Sequence, residues 1–576
     1  MVKNLVVIAA VVTVLGLAVY PRLGQYRVTL PDFPRPSKTV FLEQNWTPAQ
    51  RAAFHHMAQG TRLVPFAWFK ALEQPCFISE CGKLADPAYL TRFGFIPDGE
   101  NPDKLPIGFA RHDNFHDPIL KTSYPVVGFT CAACHTGELF FEDTAIRIEG
   151  GPAMIDLGSF QKAVALSLGL TAKLPWRYAR FEKNVLGEGA SDGQKAELKK
   201  NVDAFLAVAI REKDYASEHK IYDNLSGFGR TDALTRIGNQ VFAVDLGQFE
   251  NFQVSNASVR FPQIWDAPWL DWVQYNSSIA DPLVRNIGEA LGVRAMLAPG
   301  DLDNSVDLPA LNQMETLIAG TGPYKGLNSP KWPSVFKALD PEKVKQGEAL
   351  YRQRCQGCHL PPVEELAVDR DRNEPRYWEK SSAGVAFLKV TNINIQHIGT
   401  DPRAAMDFRN RTADSGPLKQ GRLTAAKGLD YVTQAIAKRY FEEYKVPEET
   451  RLAWAGYRKP GAEAVRDLLV YKARPLNGIW AVAPYLHNGS VPSLYLLLSP
   501  YEERPKKFWT GSKRFNPVGV GFDTDEAPGA FEYDTGGVGN SNRGHEFANK
   551  PKGNGVIGSQ LSVGERWALV EYLKSL

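Results

Sequence analysis

Two short stretches of this chain share the pattern Cys-x-x-Cys-His, at residues 131–135 and 355–359. Two cysteines three positions apart can form thioethers with the two vinyl groups of one haem, and the adjacent histidine can reach the iron as its proximal ligand. Neither stretch has further Cys or His residues at the short spacing that a zinc site needs. The pattern therefore predicts two covalently bound haem c groups. The predicted attachment and iron-binding residues are Cys131, Cys134, His135, Cys355, Cys358 and His359.

The ligand on the far side of each iron decides what such a haem can do. An iron with two strong protein ligands shuttles electrons, whereas an open position lets the iron react with O2 or peroxide. For the second stretch, His545 is a candidate, and His397 and Met406 are its rivals. For the first stretch, the nearest following residues of these types are Met154 and His219. The sequence leaves the second iron's ligand open among three residues.

The segment from residue 251 to residue 275 is rich in aromatic side chains. Such a run is usual in a protein core, and it also suits an apolar cavity from which water is excluded. Together with the scarcity of ligands near residue 135, it predicts an open iron beside an apolar enclosure. The aromatic residues are Phe252, Phe261, Trp265, Trp269, Trp272 and Tyr275.

Length and charge narrow the class of protein. A chain of 576 residues is long enough for two domains. A net charge of +3, without a long basic run, gives no reason to expect a nucleic-acid partner. Lys3 precedes an apolar run that ends near Tyr20, typical of a secretory signal or an N-terminal membrane tether. Both interpretations predict that the protein is exported. It would then be periplasmic or secreted, and an uncleaved segment would anchor it to the inner membrane.

Cysteine usage agrees with export, since the two cysteines outside the Cys-x-x-Cys-His stretches lie close together. Cys76 and Cys81 predict a small disulfide loop in an oxidising compartment. Two free thiols are the alternative, because spacing does not show geometry.

Helix signals position the motifs. Thr47 followed by Pro48 opens a helix, and Asp340 followed by Pro341 opens one that leads into the second stretch. Residues 561–573 form an amphipathic helix that closes the chain. These signals predict a mainly α fold with two cytochrome c-like haem domains and long irregular loops. The predicted division is a signal or anchor at 1–20, a linker at 21–45, an N-terminal haem domain at 46–330 and a C-terminal haem domain at 331–576.

Four stretches, at residues 129–137, 147–152, 474–492 and 539–547, resemble the di-haem cytochrome c peroxidase superfamily. Their combination is similar to the branch that holds the haem-dependent rubber oxygenases and the bacterial fatty-acid (10S) dioxygenases. The resemblance implies that the haem on His135 is the active site, with a distal position open to O2 and lined by aromatic residues of the 251–275 segment. It also implies that His545 is the second ligand of the haem on His359, which holds or tunes electrons.

Three functions follow as hypotheses. The first is an oxygenase that adds O2 to an unsaturated lipid or hydrocarbon, such as a fatty acid or polyisoprene. The second is a cytochrome c peroxidase that reduces hydrogen peroxide with electrons from a small redox protein. It needs an acid/base residue over the haem, for which His112, His116 and Glu138 are candidates. The third is an electron carrier with two protein ligands on each iron.

Overall fold

The structure is a computed structural model that describes residues 34–76, 81–381, 383–457 and 464–576. The predicted signal or anchor at residues 1–20 lies outside the described residues, as does the first part of the predicted linker. In the described part of the chain, no helix is both long enough and apolar enough to cross a membrane.

Helices run through the whole described chain, and most begin at a capping side chain or a proline. Their bounds are Pro48–His56, Phe66–Ala71, Pro87–Thr91, Ala132–His135, Leu157–Lys173, Pro175–Leu186, Asp192–Glu218, Ala233–Gly238, Pro282–Gly292, Leu308–Ala319, Pro341–Arg354, Gln356–His359, Val363–Arg370, Ile395–Ile398, Arg403–Asn410, Ala425–Glu443, Glu448–Trp454, Leu494–Leu497 and Val563–Ser575. A π-helical segment covers Asn239–Asp245.

Strands form many small sheets of two or three members. Their bounds are Lys38–Phe41, Val64–Pro65, Phe109–Asp117, Thr122–Phe129, Thr136–Phe141, Thr144–Glu149, Arg230–Thr231, Val259–Arg260, Trp378–Lys380, Ala386–Leu388, Thr391–Asn394, Thr412–Asp414, Arg422–Thr424, Val470–Ala473, Lys507–Thr510, Phe515–Asn516, Gly521–Phe522, Phe531–Asp534, Glu546–Phe547 and Val556–Gly558.

The expectation of a mainly α fold is wrong, because 40% of the structure is helical and 17% is strand, which makes the fold mixed α/β. The longest strands of the described chain lie around the first Cys-x-x-Cys-His stretch. Phe109–Asp117 pairs antiparallel with Thr122–Phe129, and Thr136–Phe141 pairs antiparallel with Thr144–Glu149. The sequence Thr144-Ala-Ile-Arg-Ile-Glu149 has the β-branched residues that favour strands. Helix-capping residues do not reveal this strand signal, which is why they predict too much helix.

The predicted helix starts are confirmed. Thr47 caps helix Pro48–His56: its side chain accepts from Gln50 N at 3.3 Å, and Gln50 Oε1 accepts from Thr47 N at 2.9 Å. Asp340 caps helix Pro341–Arg354. Both caps can be predicted from the sequence because capping depends only on residues within one turn of the helix start.

The predicted disulfide is also confirmed, since Cys76 and Cys81 are bonded with their Cα atoms 6.2 Å apart. The predicted domain division remains a prediction. At its boundary, Trp480 Nε1 donates to the Pro330 carbonyl at 2.9 Å. One buried apolar cluster joins Ile146 of the sheet region to Trp480 and to Leu569 of the last helix.

Candidate haem-binding sites

A short turn between two strands presents the first Cys-x-x-Cys-His stretch. Strand Thr122–Phe129 ends just before it, and strand Thr136–Phe141 begins immediately after it. Thr130 fixes the entry to this turn, because its Oγ1 donates to the His55 carbonyl at 3.1 Å and accepts from Ala132 N at 3.2 Å. The strands on either side therefore hold the cysteines and the histidine in place.

The hydrogen bonding and protonation of His135 suit a metal ligand. Its Nδ1 donates to the Pro262 carbonyl at 2.8 Å, so Nδ1 carries the proton and Nε2 keeps a lone pair. Burial lowers the pKa of His135 to about 4, so the imidazole is neutral at neutral pH. A neutral imidazole whose other nitrogen donates to a carbonyl is the usual arrangement of a metal-bound histidine.

A cavity of about 60 Å³ lies beside the first stretch and is lined by Cys131 and His135. Among the described residues that line the cavity, His135 is the one histidine, and no methionine is present. Of the six aromatic residues predicted to enclose the site, Tyr275 lines the cavity, whereas Phe261 and Trp265 lie in buried apolar clusters.

The charged groups around the cavity suit a haem. Arg285 and Arg474 line it, and such cations can pair with the two propionates of the group. Lys472 lines it as well, where burial lowers the pKa of its amine well below the usual value. Arg285 also pairs with Glu315 on the cavity wall. Two cysteine sulfurs, a neutral histidine, an enclosed cavity and nearby cations together fit a haem c at this position.

A helix, rather than a strand, presents the second stretch. Helix Pro341–Arg354 ends at Cys355, and Tyr351 Oη closes the following turn by donating to the Leu360 carbonyl at 2.6 Å. His359 Nδ1 donates to the Arg474 carbonyl at 2.8 Å. Burial lowers the pKa of His359, so this imidazole is also neutral with a free Nε2 lone pair.

His545 faces His359 across the second site, with ring centroids 6.1 Å apart. Two iron–nitrogen bonds of about 2 Å, with roughly 1 Å more to each ring centre, place two axial imidazoles about 6 Å apart. The spacing therefore fits one iron between the rings. The rivals lie elsewhere: His397 and Met406 are exposed on the surface.

Backbone contacts hold the His545 loop. His545 N donates to the Ile398 carbonyl at 3.0 Å, and Arg504 Nη1 donates to the Gly544 carbonyl at 2.9 Å. Gly544 has a φ of +78°, and a Cβ there would lie 2.3 Å from the Gly399 carbonyl carbon. Only glycine fits this close approach, which brings the loop against the segment after His397.

Arg474 connects the two sites. Its backbone carbonyl accepts from His359 Nδ1 at 2.8 Å, and its Nη2 donates to the Gln263 carbonyl at 2.7 Å. Gln263 follows Pro262, whose carbonyl accepts from His135 Nδ1. One residue thus contacts the support of both histidines. Spacing in the sequence does not indicate this role, because the two contacts join segments 211 and 115 residues apart.

The residues predicted as peroxidase acid/base groups are not at the first site. Among the described residues that line the cavity, His112, His116 and Glu138 are absent. Burial would raise the pKa of Glu138, but Lys513, Arg147 and Arg35 lower it to about 2, so Glu138 stays ionised. Glu289 does line the cavity, and burial raises the pKa of its carboxyl group. No motif marks Glu289 in the sequence.

The chain is similar to known proteins in two respects, a cytochrome c-like segment and a relative that matches nearly its whole length. A family described as RoxA-like, cytochrome c-like matches residues 470–510, which include Arg474. This match implies haem c binding and relates the chain to the rubber oxygenases and di-haem cytochromes, and it suggests a haem oxidoreductase.

The chain belongs to the same family as the uncharacterized protein y4iJ of Sinorhizobium fredii. The two are 43% identical over 587 residues, which cover 97% of this chain and 96% of that protein. The uncharacterized protein y4iM of the same organism is 26% identical over 277 residues, which cover 48% of this chain and 51% of that protein.

Proposed function

We propose that this protein is an exported di-haem c-type cytochrome that acts as an oxygenase, adding O2 to an unsaturated lipid or hydrocarbon. In this proposal, Cys131 and Cys134 attach one haem and Cys355 and Cys358 attach the other. When bound, a haem at the first site would supply the ability to react with O2 and to transfer single electrons. The relationship to RoxA-like cytochromes supports the reaction class.

The observation that carries the proposal is the asymmetry between the two histidines. His545 stands opposite His359 at a ring spacing of 6.1 Å, which suits an iron held on both sides. His135 instead faces a cavity whose described lining has neither a second histidine nor a methionine. An iron held at His135 would therefore have no second histidine or methionine ligand from this lining, which leaves a position for O2, whereas an iron at His359 is suited to electron transfer.

The chain's own residues would position the substrate and exclude water. Ile264, Leu270 and Val273 form apolar parts of the cavity wall. A groove of about 810 Å³ shares Pro268 and Glu315 with this cavity, which offers an extended substrate a route inward. Hydrocarbon that enters this route would be desolvated next to the first site.

The groove also bears on the choice of substrate. Lys325, Arg370 and Lys380 lie along it, and Arg370 is paired with Asp371. The ammonium groups of Lys325 and Lys380 can attract a carboxylate, and polyisoprene has none. A fatty acid is therefore the first substrate to test, with polyisoprene second.

Glu289 is the specific observation that favours the alternative, a cytochrome c peroxidase with a small redox protein as donor. Its carboxyl group lies on the cavity wall and accepts from Gln274 Nε2 at 3.2 Å. Burial raises its pKa, as acid/base catalysis of O–O cleavage requires. We therefore expect Glu289→Gln to leave oxygenation within about threefold, but to reduce a peroxidase reaction by roughly 100-fold or more.

The test is incubation of the purified haem-loaded protein with oleate or with polyisoprene under 18-O2, without added peroxide. We expect labelled product from at least one substrate. Absence of label from both, together with rapid turnover of hydrogen peroxide by reduced cytochrome c, would establish the peroxidase instead. We further propose a periplasmic or secreted location, tested by fractionation of cells that express the full chain.

A further inference from the structure

A polar cluster lies behind the first Cys-x-x-Cys-His stretch, at the end of helix Pro48–His56. One ring nitrogen of His55, one of His56 and one carboxylate oxygen of Asp98 lie within 4.8 Å of one another. The proposed oxygenase reaction uses none of these residues, and none of them lines the cavity at His135 among the described lining residues. The cluster is nevertheless close to that site, because Thr130 donates to the His55 carbonyl.

Hydrogen bonds constrain the protonation of both rings. His55 Nε2 lies 2.8 Å from Glu149 Oε2 and donates to that carboxylate, which leaves Nδ1 as the nitrogen with the lone pair. His56 differs, because its Nδ1 lies 2.8 Å from the Phe109 carbonyl and its Nε2 lies 2.9 Å from Asp98 Oδ2. Both ring nitrogens of His56 therefore face acceptor oxygens.

Two acceptors on one imidazole can be satisfied in two ways. Either His56 carries a second proton and forms an ion pair with Asp98, or a metal ion takes the place of that proton at Nε2. Histidines whose distal N–H donates to a carboxylate or a backbone carbonyl are the usual ligands of protein-bound metals.

We propose that one ring nitrogen of His55, Nε2 of His56 and the carboxylate of Asp98 bind a divalent transition metal, with Zn²⁺ the best match. Two imidazoles and one carboxylate are a donor set that zinc accepts, with a water as fourth ligand, whereas Ca²⁺ and Mg²⁺ prefer oxygen alone. Glu149 supports the assignment: its side chain is 3% exposed, and its Oε1 has no hydrogen-bond partner among the described residues. The site therefore carries a buried second carboxylate that would offset the charge of the ion.

The experiment uses the haem-loaded full chain, treated with a chelator, dialysed and titrated with ZnCl2. Bound zinc is measured by plasma mass spectrometry, which distinguishes zinc from haem iron, and the melting temperature is recorded in parallel. We expect about one zinc per chain, bound about 100-fold more weakly in His56→Asn and in Asp98→Asn, and about 10-fold to 100-fold more weakly in Glu149→Gln. Zinc should raise the melting temperature of the unmodified chain, and at the same zinc concentration it should raise that of His56→Asn and Asp98→Asn much less.

A matched control is available in the chain. His116 Nε2 lies 2.9 Å from Asp303 Oδ2, the same pair geometry without a second histidine in the cluster. His116→Asn should keep the zinc stoichiometry and affinity of the unmodified chain. Equal zinc binding by the unmodified chain and by both His56→Asn and Asp98→Asn, or no binding by the unmodified chain, would overturn the proposal and identify His56 and Asp98 as an ion pair only. Haem spectra confirm that each variant is folded.

Discussion

The two Cys-x-x-Cys-His stretches have the same chemistry but different surroundings. Both histidines donate through Nδ1 to a backbone carbonyl at 2.8 Å, so both direct Nε2 toward a ligand. The first stretch lies between two strands and opens onto a cavity, whereas the second follows a helix and faces His545. The motif thus sets how each histidine is oriented, while the surrounding chain decides what lies opposite that histidine.

The largest effect should come from removing one attachment site at a time. Cys131→Ala with Cys134→Ala should reduce oxygenation about 1,000-fold, a loss of roughly 4 kcal/mol in transition-state stabilisation, because the reacting haem is no longer held. Cys355→Ala with Cys358→Ala is the matched variant at the other site. Both should lose half of the covalent haem in a pyridine haemochrome assay. Equal oxygenation by the two variants would contradict the assignment of the first site as the active one.

Opening the second site should make it resemble the first. His545→Ala removes the side chain opposite His359, so CO bound by the reduced protein should rise from about one to about two per chain. The low-spin signal should fall in the same sample. His397→Ala is the control, because His397 is exposed and should change neither spectrum. Unchanged CO binding in His545→Ala would show that another group occupies that position.

The connection between the sites can be weakened without removing either haem. Arg474→Lys loses the donation from Nη2 to the Gln263 carbonyl, a charged hydrogen bond of about 1.5–3 kcal/mol, and turnover should fall about 10-fold to 100-fold. The low-spin spectrum of the second site should persist, because His359 contacts the backbone of residue 474. Arg372→Lys, an exposed position, serves as control. A lost low-spin signal would indicate a structural role instead.

The smallest effect at either site should come from the disulfide. Cys76→Ser with Cys81→Ser should lower the free energy of unfolding by about 2 kcal/mol, as expected for closure of so short a loop. Neither haem spectrum should change, since the bond lies outside both Cys-x-x-Cys-His stretches. Denaturant unfolding followed by far-UV circular dichroism measures the loss. A change in CO binding would show that this loop supports the first site.

Local signals in the sequence were sufficient for the features that depend on neighbouring residues. The Cys-x-x-Cys-His spacing predicts two candidate haem sites, because attachment involves only a few consecutive residues. Thr47 and Asp340 predict the starts of the helices that they cap, because capping is equally local. The closely spaced pair Cys76 and Cys81 predicted its disulfide for the same reason.

Tertiary structure decided what the sequence left open. The fold brings the ring of His545, 186 residues away in the sequence, to 6.1 Å from that of His359, whereas His397 and Met406 are exposed, and no local rule relates such distant segments. The same holds for Arg474 and Glu289, whose positions depend on packing between elements. The fold class was predicted wrongly because short strands around residue 135 are stabilised by pairing partners, and pairing is not visible in a single segment.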